Sequence, residues 1–242
     1  GISTLPVRRD ARGTVGDSTA IVLWLERHYP RQPLLPSLRR VLGDVAFRRL
    51  LLVFVANGIA AALPATLFLF FVADVLGAEK ASGPLLALYF IAGAASLPLW
   101  VRLSATYGRP LAWWAAMLLS IVAFAGASLL GAGDLWPFAV ICVASGLALG
   151  ADLALPAAIA ADLGERQGQA GACFGVWNFV AKLNLALAAG VSLPLLGLLG
   201  YAPGQGSGLG ALTFAYALLP LGFKAVAALL LWRWRHSLEI RS

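Results

Sequence analysis

Residues 175–190 read GVWNFVAKLNLALAAG, apolar throughout except at Asn178, Lys182 and Asn184. A lysine is out of place in such a run, so the surroundings decide what the run is. Of 242 residues, 60% are hydrophobic and 12% charged, and the mean hydropathy is +0.84. Soluble domains average about 45–50% apolar and about 25% charged residues, which puts an apolar-rich soluble enzyme well behind a polytopic membrane protein. The chain's apolar runs have the length of membrane-crossing helices, so the fold class expected is all-α. The 26 Gly and 13 Pro fit this reading, since neighbouring helices in a bilayer re-satisfy the backbone groups they free.

Working outward, six stretches reach the roughly 20 apolar residues that cross a bilayer: 50–72, 83–101, 111–130, 135–161, 172–199 and 211–232. They divide the chain into a leader (1–46), a six-helix bundle (47–234) and a tail (235–242). No secretory signal is expected, because the first apolar span begins near Leu50, behind an arginine-rich segment. Every arginine lies before the first span, in the second-to-third connection (Arg102, Arg109), in the fourth-to-fifth (Arg166), or after the last span (Arg233, Arg235, Arg241). The other connections, ADVLGAEKAS, GAGDLWP and YAPGQGSGLG, hold a single cation, Lys80. The positive-inside rule then puts both termini in the cytoplasm. A net charge of +7 also suits nucleic acid, but these cations flank spans, which favours anionic lipid headgroups as partner and no nucleic acid. Trp100, Trp136, Trp232 and Trp234 fall at span ends and fit interfacial anchoring. Cys142 and Cys173 sit in apolar surroundings without metal-ligand spacing and read as packing residues.

Ionisable residues inside a bilayer cost about 2.5–3.5 kcal/mol each on insertion scales, and the spans contain three clear cases, Asp152, Lys182 and Lys224. At about 1.5 Å per residue each lies about 13–17 Å from the cytoplasmic end of its helix, near mid-bilayer. Lys224 either snorkels or faces the bundle; Asp152 and Lys182 are either a structural pair or part of a pathway. On the fifth span Gly171, Gly175, Asn178, Lys182, Ala186 and Gly190 recur at spacings of three or four and share one helix face. Helix packing accounts for the glycines on that face, but not for Asn178 and Lys182. Pro64, Pro98, Pro156, Pro194 and Pro220 mark expected kinks in five spans.

From about Leu34 onward the chain resembles the C-terminal six-helix half of a major facilitator superfamily transporter, in the glycoside-pentoside-hexuronide cation symporter family typified by melibiose permease. The matching segments are FRRLLLVFVANGIAAALPATLFLFFVADVLG, LLALYFIAGAASLPLW followed by YGR, GADLALPAAIAAD, and GACFGVWNFVAKLNLALAAG followed by LLGLLGY. The resemblance implies sugar or glycoside symport with sodium or protons by alternating access, in the inner (plasma) membrane of a bacterium. It places Lys182 at the family's lysine near the cation and sugar site, and Asp162 at the acidic residue opening the cytoplasmic loop before that helix. The loop here, LGERQGQAG, is shorter than in melibiose-type members. The family has twelve spans, so a second six-helix bundle is an implied partner, from another chain or by self-association. Asp152, Asn178, Lys182 and Lys224 are thus the candidate substrate or ion pathway, with Asp162, Arg102 and Arg109 as candidate cytoplasmic-loop residues. The alternative is a non-transporting scaffold or a truncated remnant whose polar residues only hold helices together.

Residues 15–36, VGDSTAIVLWLERHYPRQPLLP, are similar to the end of the thioredoxin-like domain of glutathione transferases. There Asp17 and Ser18 would match the acidic-Ser pair that grips the γ-glutamyl group. The similarity covers about 20 residues and lacks the strands and catalytic residue that should precede it, so a leader or fusion junction is the expectation, and a glutathione-dependent membrane enzyme is the third reading. Beyond the coupling ion no cofactor is expected, and no catalytic or metal site: only His28 and His236 are present, outside the spans, with no nucleophile-base or metal-ligand spacing.

Overall fold

The Asp44 carboxylate accepts the backbone N–H of Phe47 at 2.7 Å, capping the first long helix. The structure, a computed structural model, describes residues 34–239. A short helix α1 (Leu34–Gly43) is followed by six helices long and apolar enough to cross a membrane: α2 (Val45–Val75), α3 (Glu79–Tyr107), α4 (Arg109–Ala127), α5 (Leu135–Arg166), α6 (Ala170–Leu198) and α7 (Leu209–Leu238). Among the described residues the sole β feature is an isolated bridge between Ala202 and Ser207. The chain is therefore an all-α polytopic membrane protein. The stretch resembling glutathione transferases lies, for residues 15–33 including Asp17 and Ser18, outside the described residues.

Most of the helices outrun their apolar cores, which shortens the connections. Only Gly108 separates α3 from α4, with φ 86°, in the left-handed region that favours glycine. Arg102 accordingly lies within α3 and Arg109 opens α4, instead of sitting in a loop. Likewise α5 continues to Arg166, so Asp162 belongs to its last turns and the connection to α6 shrinks to 167–169. The helical hydrogen-bond ladder continues past the point where hydropathy drops, because helix ends reach into the interfacial zone where polar side chains are solvated.

Pro64, Pro98, Pro156 and Pro194 all lie inside continuous helices. Pro220 differs, because it stands two residues past the end of a π-helical turn, Phe214–Leu218. A proline ring clashes with the carbonyl four residues back, here Tyr216, and the wider π turn moves that carbonyl aside. A second π turn, Phe71–Val75, ends α2. The two turns face one another: Phe71 and Tyr216 stack with centroids 4.1 Å apart and planes 12° from parallel.

Lipid tails are as apolar as leucine, so van der Waals fit and interhelical hydrogen bonds hold such a bundle together. The closest approach is α3 on α5. A Cβ on Gly146 would sit 2.3 Å from the Tyr89 carbonyl oxygen, and one on Gly150 would sit 2.1 Å from Ser96 Oγ. Trp100 Nε1 and Ser96 Oγ then both donate to the Leu147 carbonyl, at 2.7 and 3.0 Å. Trp100 is thus a buried interhelical donor and not an interfacial anchor, a correction to its reading from span position. Trp136 is 83% exposed, as an anchor would be.

The helices pack mainly across the sequence: α2 lies on α6 and α7, and α5 lies on α3 and α4. Two core clusters result. One is built around Trp113, Phe47 and Trp177 at the arginine-rich end, the other around Phe71, Phe138 and Tyr216 at the opposite end. Enclosure is uneven: α3 and α6 bury only 22% and 25% of their apolar windows, against 39% to 50% for the other four.

Candidate functional site

Asp152, on α5, faces inward with two donors on its carboxylate. Lys224 Nζ, from α7, donates to Oδ2 at 2.5 Å, and Trp113 Nε1, from α4, donates to Oδ1 at 2.8 Å. The Lys224 and Asp152 side chains are 4% and 11% exposed, and Trp113 is fully buried. A carboxylate and an ammonium each carry a desolvation penalty of several kcal/mol in a dry interior. Here each neutralises the other and the indole takes up the remaining oxygen. Along α7, Lys224 falls between Tyr216 of one core cluster and Ala227 of the other, so the pair sits at their junction.

The pair also borders a cavity of about 200 Å³. Its walls come from α2 (Pro64, Phe68), α3 (Tyr89, Phe90), α4 (Ser120, Phe124), α5 (Cys142, Ser145, Asp152) and α7 (Tyr216, Lys224). The lining is largely apolar and aromatic with a few hydroxyls and one ion pair, the mixture that small-molecule sites use to combine apolar burial with a few fixed polar contacts. Phe90, at 56% exposure, stands at the margin of the cavity. One further polar atom lies nearby: Asn57, one helical turn from the cavity-lining Ala61 on α2, is 2% exposed and its Oδ1 has no hydrogen-bond partner among the described residues. Leaving a buried acceptor unpaired costs about 1–3 kcal/mol.

The four candidate pathway residues thus fall into two groups. Asp152 and Lys224 meet at the cavity. Asn178 and Lys182 are exposed on α6, and the residues lining the cavity do not include them. Asn178 Nδ2 bonds its own helix at the Phe174 carbonyl, 3.0 Å away, and Lys182 forms no ion pair within 4.0 Å among the described residues. The partner of Asp152 is therefore Lys224 and not Lys182. The small-and-polar stripe of α6 is exposed, and among the described residues no neighbour comes within 4 Å of where a Cβ on Gly171, Gly175 or Gly190 would stand. The third polar residue of residues 175–190 behaves otherwise. Asn184 is 4% exposed, donates to the Phe54 carbonyl at 3.4 Å, and presses where a Cβ on Gly58 would be, 2.1 Å from its Nδ2. Beside it Phe54 stacks on Trp177, centroids 3.7 Å apart.

At the arginine-rich end, Arg109 pairs with Asp162, and its Nη1 also reaches the Ala158 carbonyl at 3.4 Å; Arg102 is exposed and forms no ion pair within 4.0 Å among the described residues. At the opposite end, the Asp74 carboxylate accepts the Tyr201 hydroxyl and the Gly204 N–H, the latter at 3.1 Å, tying the α6–α7 connection to the end of α2. Burial, helped by the bonded Asp74, raises the titration of the Tyr201 hydroxyl above its usual range. Trp113, Tyr89, Tyr216, Asn57 and Asp74 were not singled out from the sequence. The available signal was that a buried indole N–H or amide needs a partner, but which tryptophans are buried is fixed only by packing. Among the described residues no three or more His, Cys, Asp or Glu side chains converge as a metal site would require.

Six membrane-length helices, five of which line a largely apolar cavity bordered by a buried ion pair, define a polytopic membrane protein. The family model described as MFS/sugar transport protein matches residues 26–237. The chain therefore belongs to that family and is a membrane transporter protein of the sugar-transport type. No curated protein matches the chain.

Proposed function

We propose that the chain forms one six-helix half, of the C-terminal kind, of a secondary active transporter related to melibiose permease, carrying a sugar or glycoside together with sodium or a proton by alternating access. The observation that carries this reading is the cavity floored by Asp152 and Lys224, at the depth where such transporters hold substrate. Asp152, Lys224, Asn178 and Lys182 line the substrate or ion pathway, the first two within the half and the last two on the open face of α6. A second six-helix bundle, from another chain or a second copy, covers that face; the low enclosure of α3 and α6 supports it. Both termini lie in the cytoplasm and the protein resides in a bacterial inner membrane, in accord with the sorting of arginines onto alternate connections.

Reconstitution of the chain with and without a matching N-terminal six-helix bundle, with sugar uptake driven by imposed sodium or proton gradients, tests the reading. Uptake is expected only with the second bundle and to fall in Lys182→Ala. Uptake unchanged by Lys182→Ala removes that lysine from the pathway, and no uptake under either gradient overturns symport. One observation favours a second reading, a non-transporting scaffold: Asp152, Lys224 and Trp113 are closed on one another.

A further inference from the structure

The last turn of α7 holds an arrangement that sugar transport leaves unused. Arg235 places its guanidinium carbon 3.6 Å from the centre of the Trp232 ring, and Trp232 packs against Trp114 of α4 with centroids 4.5 Å apart. A guanidinium over an indole face has N–H donors to spare for another partner, in the fork that matches phosphate oxygens. Among the described residues Arg235 has no carboxylate within 4.0 Å. The acidic residue just beyond that turn, Glu239, is turned to His236 at 3.8 Å and to the backbone at Gly108. The cation of Arg235 thus rests over a ring and has no carboxylate partner among the described residues.

The position and the flanking surface indicate what supplies that charge. Trp114 lies five residues inside α4 and Trp232 six residues from the end of α7, about 7–9 Å along their helices. That is about the depth at which the headgroup zone passes into hydrocarbon. Towards the bilayer centre two exposed apolar rows continue from the indoles, Leu118 and Val122 on α4 and Leu229 and Val226 on α7. The first row repeats every four residues from Trp114 and so shares its helix face.

We propose that Trp114, Trp232 and Arg235 form a site for an anionic phospholipid. Arg235 holds the phosphodiester, the paired indoles pack on the glycerol region, and an acyl chain lies along Leu118, Val122 and Leu229. A zwitterionic lipid brings its own ammonium to the same place and leaves Arg235 less well matched, so the site selects net negative headgroups.

Native mass spectrometry of the full chain, released from micelles containing equal phosphatidylglycerol and phosphatidylcholine, tests the site. Retained phosphatidylglycerol is expected to exceed phosphatidylcholine. The preference is expected to fall about fivefold in Arg235→Gln, the loss expected for one cation close to an anionic surface, and to fall in Trp232→Leu. Arg233→Gln removes the same charge from an exposed arginine that stacks on no ring among the described residues, and a smaller fall is expected; equal falls make the effect a property of the whole basic rim and overturn the site. An unchanged preference in Arg235→Gln also overturns it. Inorganic phosphate in excess is expected to leave the bound lipid in place, and displacement assigns the site to a free anion instead.

Discussion

Replacing Lys224 by methionine removes one of the two donors on a buried carboxylate and leaves Trp113 as the remaining one. Breaking a buried ion pair at one partner costs about 3–5 kcal/mol, whereas replacing both partners by apolar groups of similar volume is often neutral. Lys224→Met is therefore expected to lower stability by about that amount, and Asp152→Leu with Lys224→Met to recover most of it, as read by unfolding in mixed micelles. If the double variant folds and loses uptake, the pair serves transport; retained uptake assigns it to helix packing. At this scale the sequence exposed the costly residues but not their pairing. Depth along a helix follows from counting residues, and Asp152, Lys182 and Lys224 are level by that count. Which way each points depends on helix rotation and tilt, which apolar neighbours on every side do not encode. Trp100 read as an anchor from its place at a span end, and Trp113 drew no notice, because only packing shows which indoles are buried.

At the scale of elements, the six spans were legible because each needs a long apolar run, and their true ends were not, because hydropathy fades before the backbone ladder stops. The π turns at Phe71–Val75 and Phe214–Leu218 left no trace in the apolar pattern; in α7 the hint was Pro220, whose ring displaces the carbonyl at Tyr216. Within the turn that ends α2, Asp74 holds Tyr201 and Gly204. Because burial and Asp74 raise the titration of Tyr201, the stabilisation linked to its protonated form is fully present below the ordinary tyrosine value of about 10 and is lost only as pH rises through the higher native one. Tyrosinate absorbance is expected to show Tyr201 titrating late, and earlier in Asp74→Asn. Equal titration in the two proteins would mean that Asp74 does not hold the hydroxyl.

Over the whole molecule, α2 packs on α6 and α7, and α5 on α3 and α4, so the first three spans depend on the last three for much of their support. The membership of the bundle was readable from six apolar runs, but the interleaving was not, because no local pattern states which distant helix a face will meet. Interleaving also gives the buried triad an order in time. A chain emerging from the ribosome delivers Trp113 first, then Asp152, and Lys224 only with the final helix. Asp152 thus enters lipid while its cation is still unmade, with the indole N–H of the preceding helix as its available donor. In chains truncated after α6, a glycosylation tag in the 167–169 connection reports failure of α5 to insert. Modification is expected to rise in Trp113→Phe, and no rise would mean that α5 inserts unaided. The tryptophan that completes the finished site is then also the chaperone of its carboxylate during synthesis, and Lys224 arrives at a charge already waiting for it.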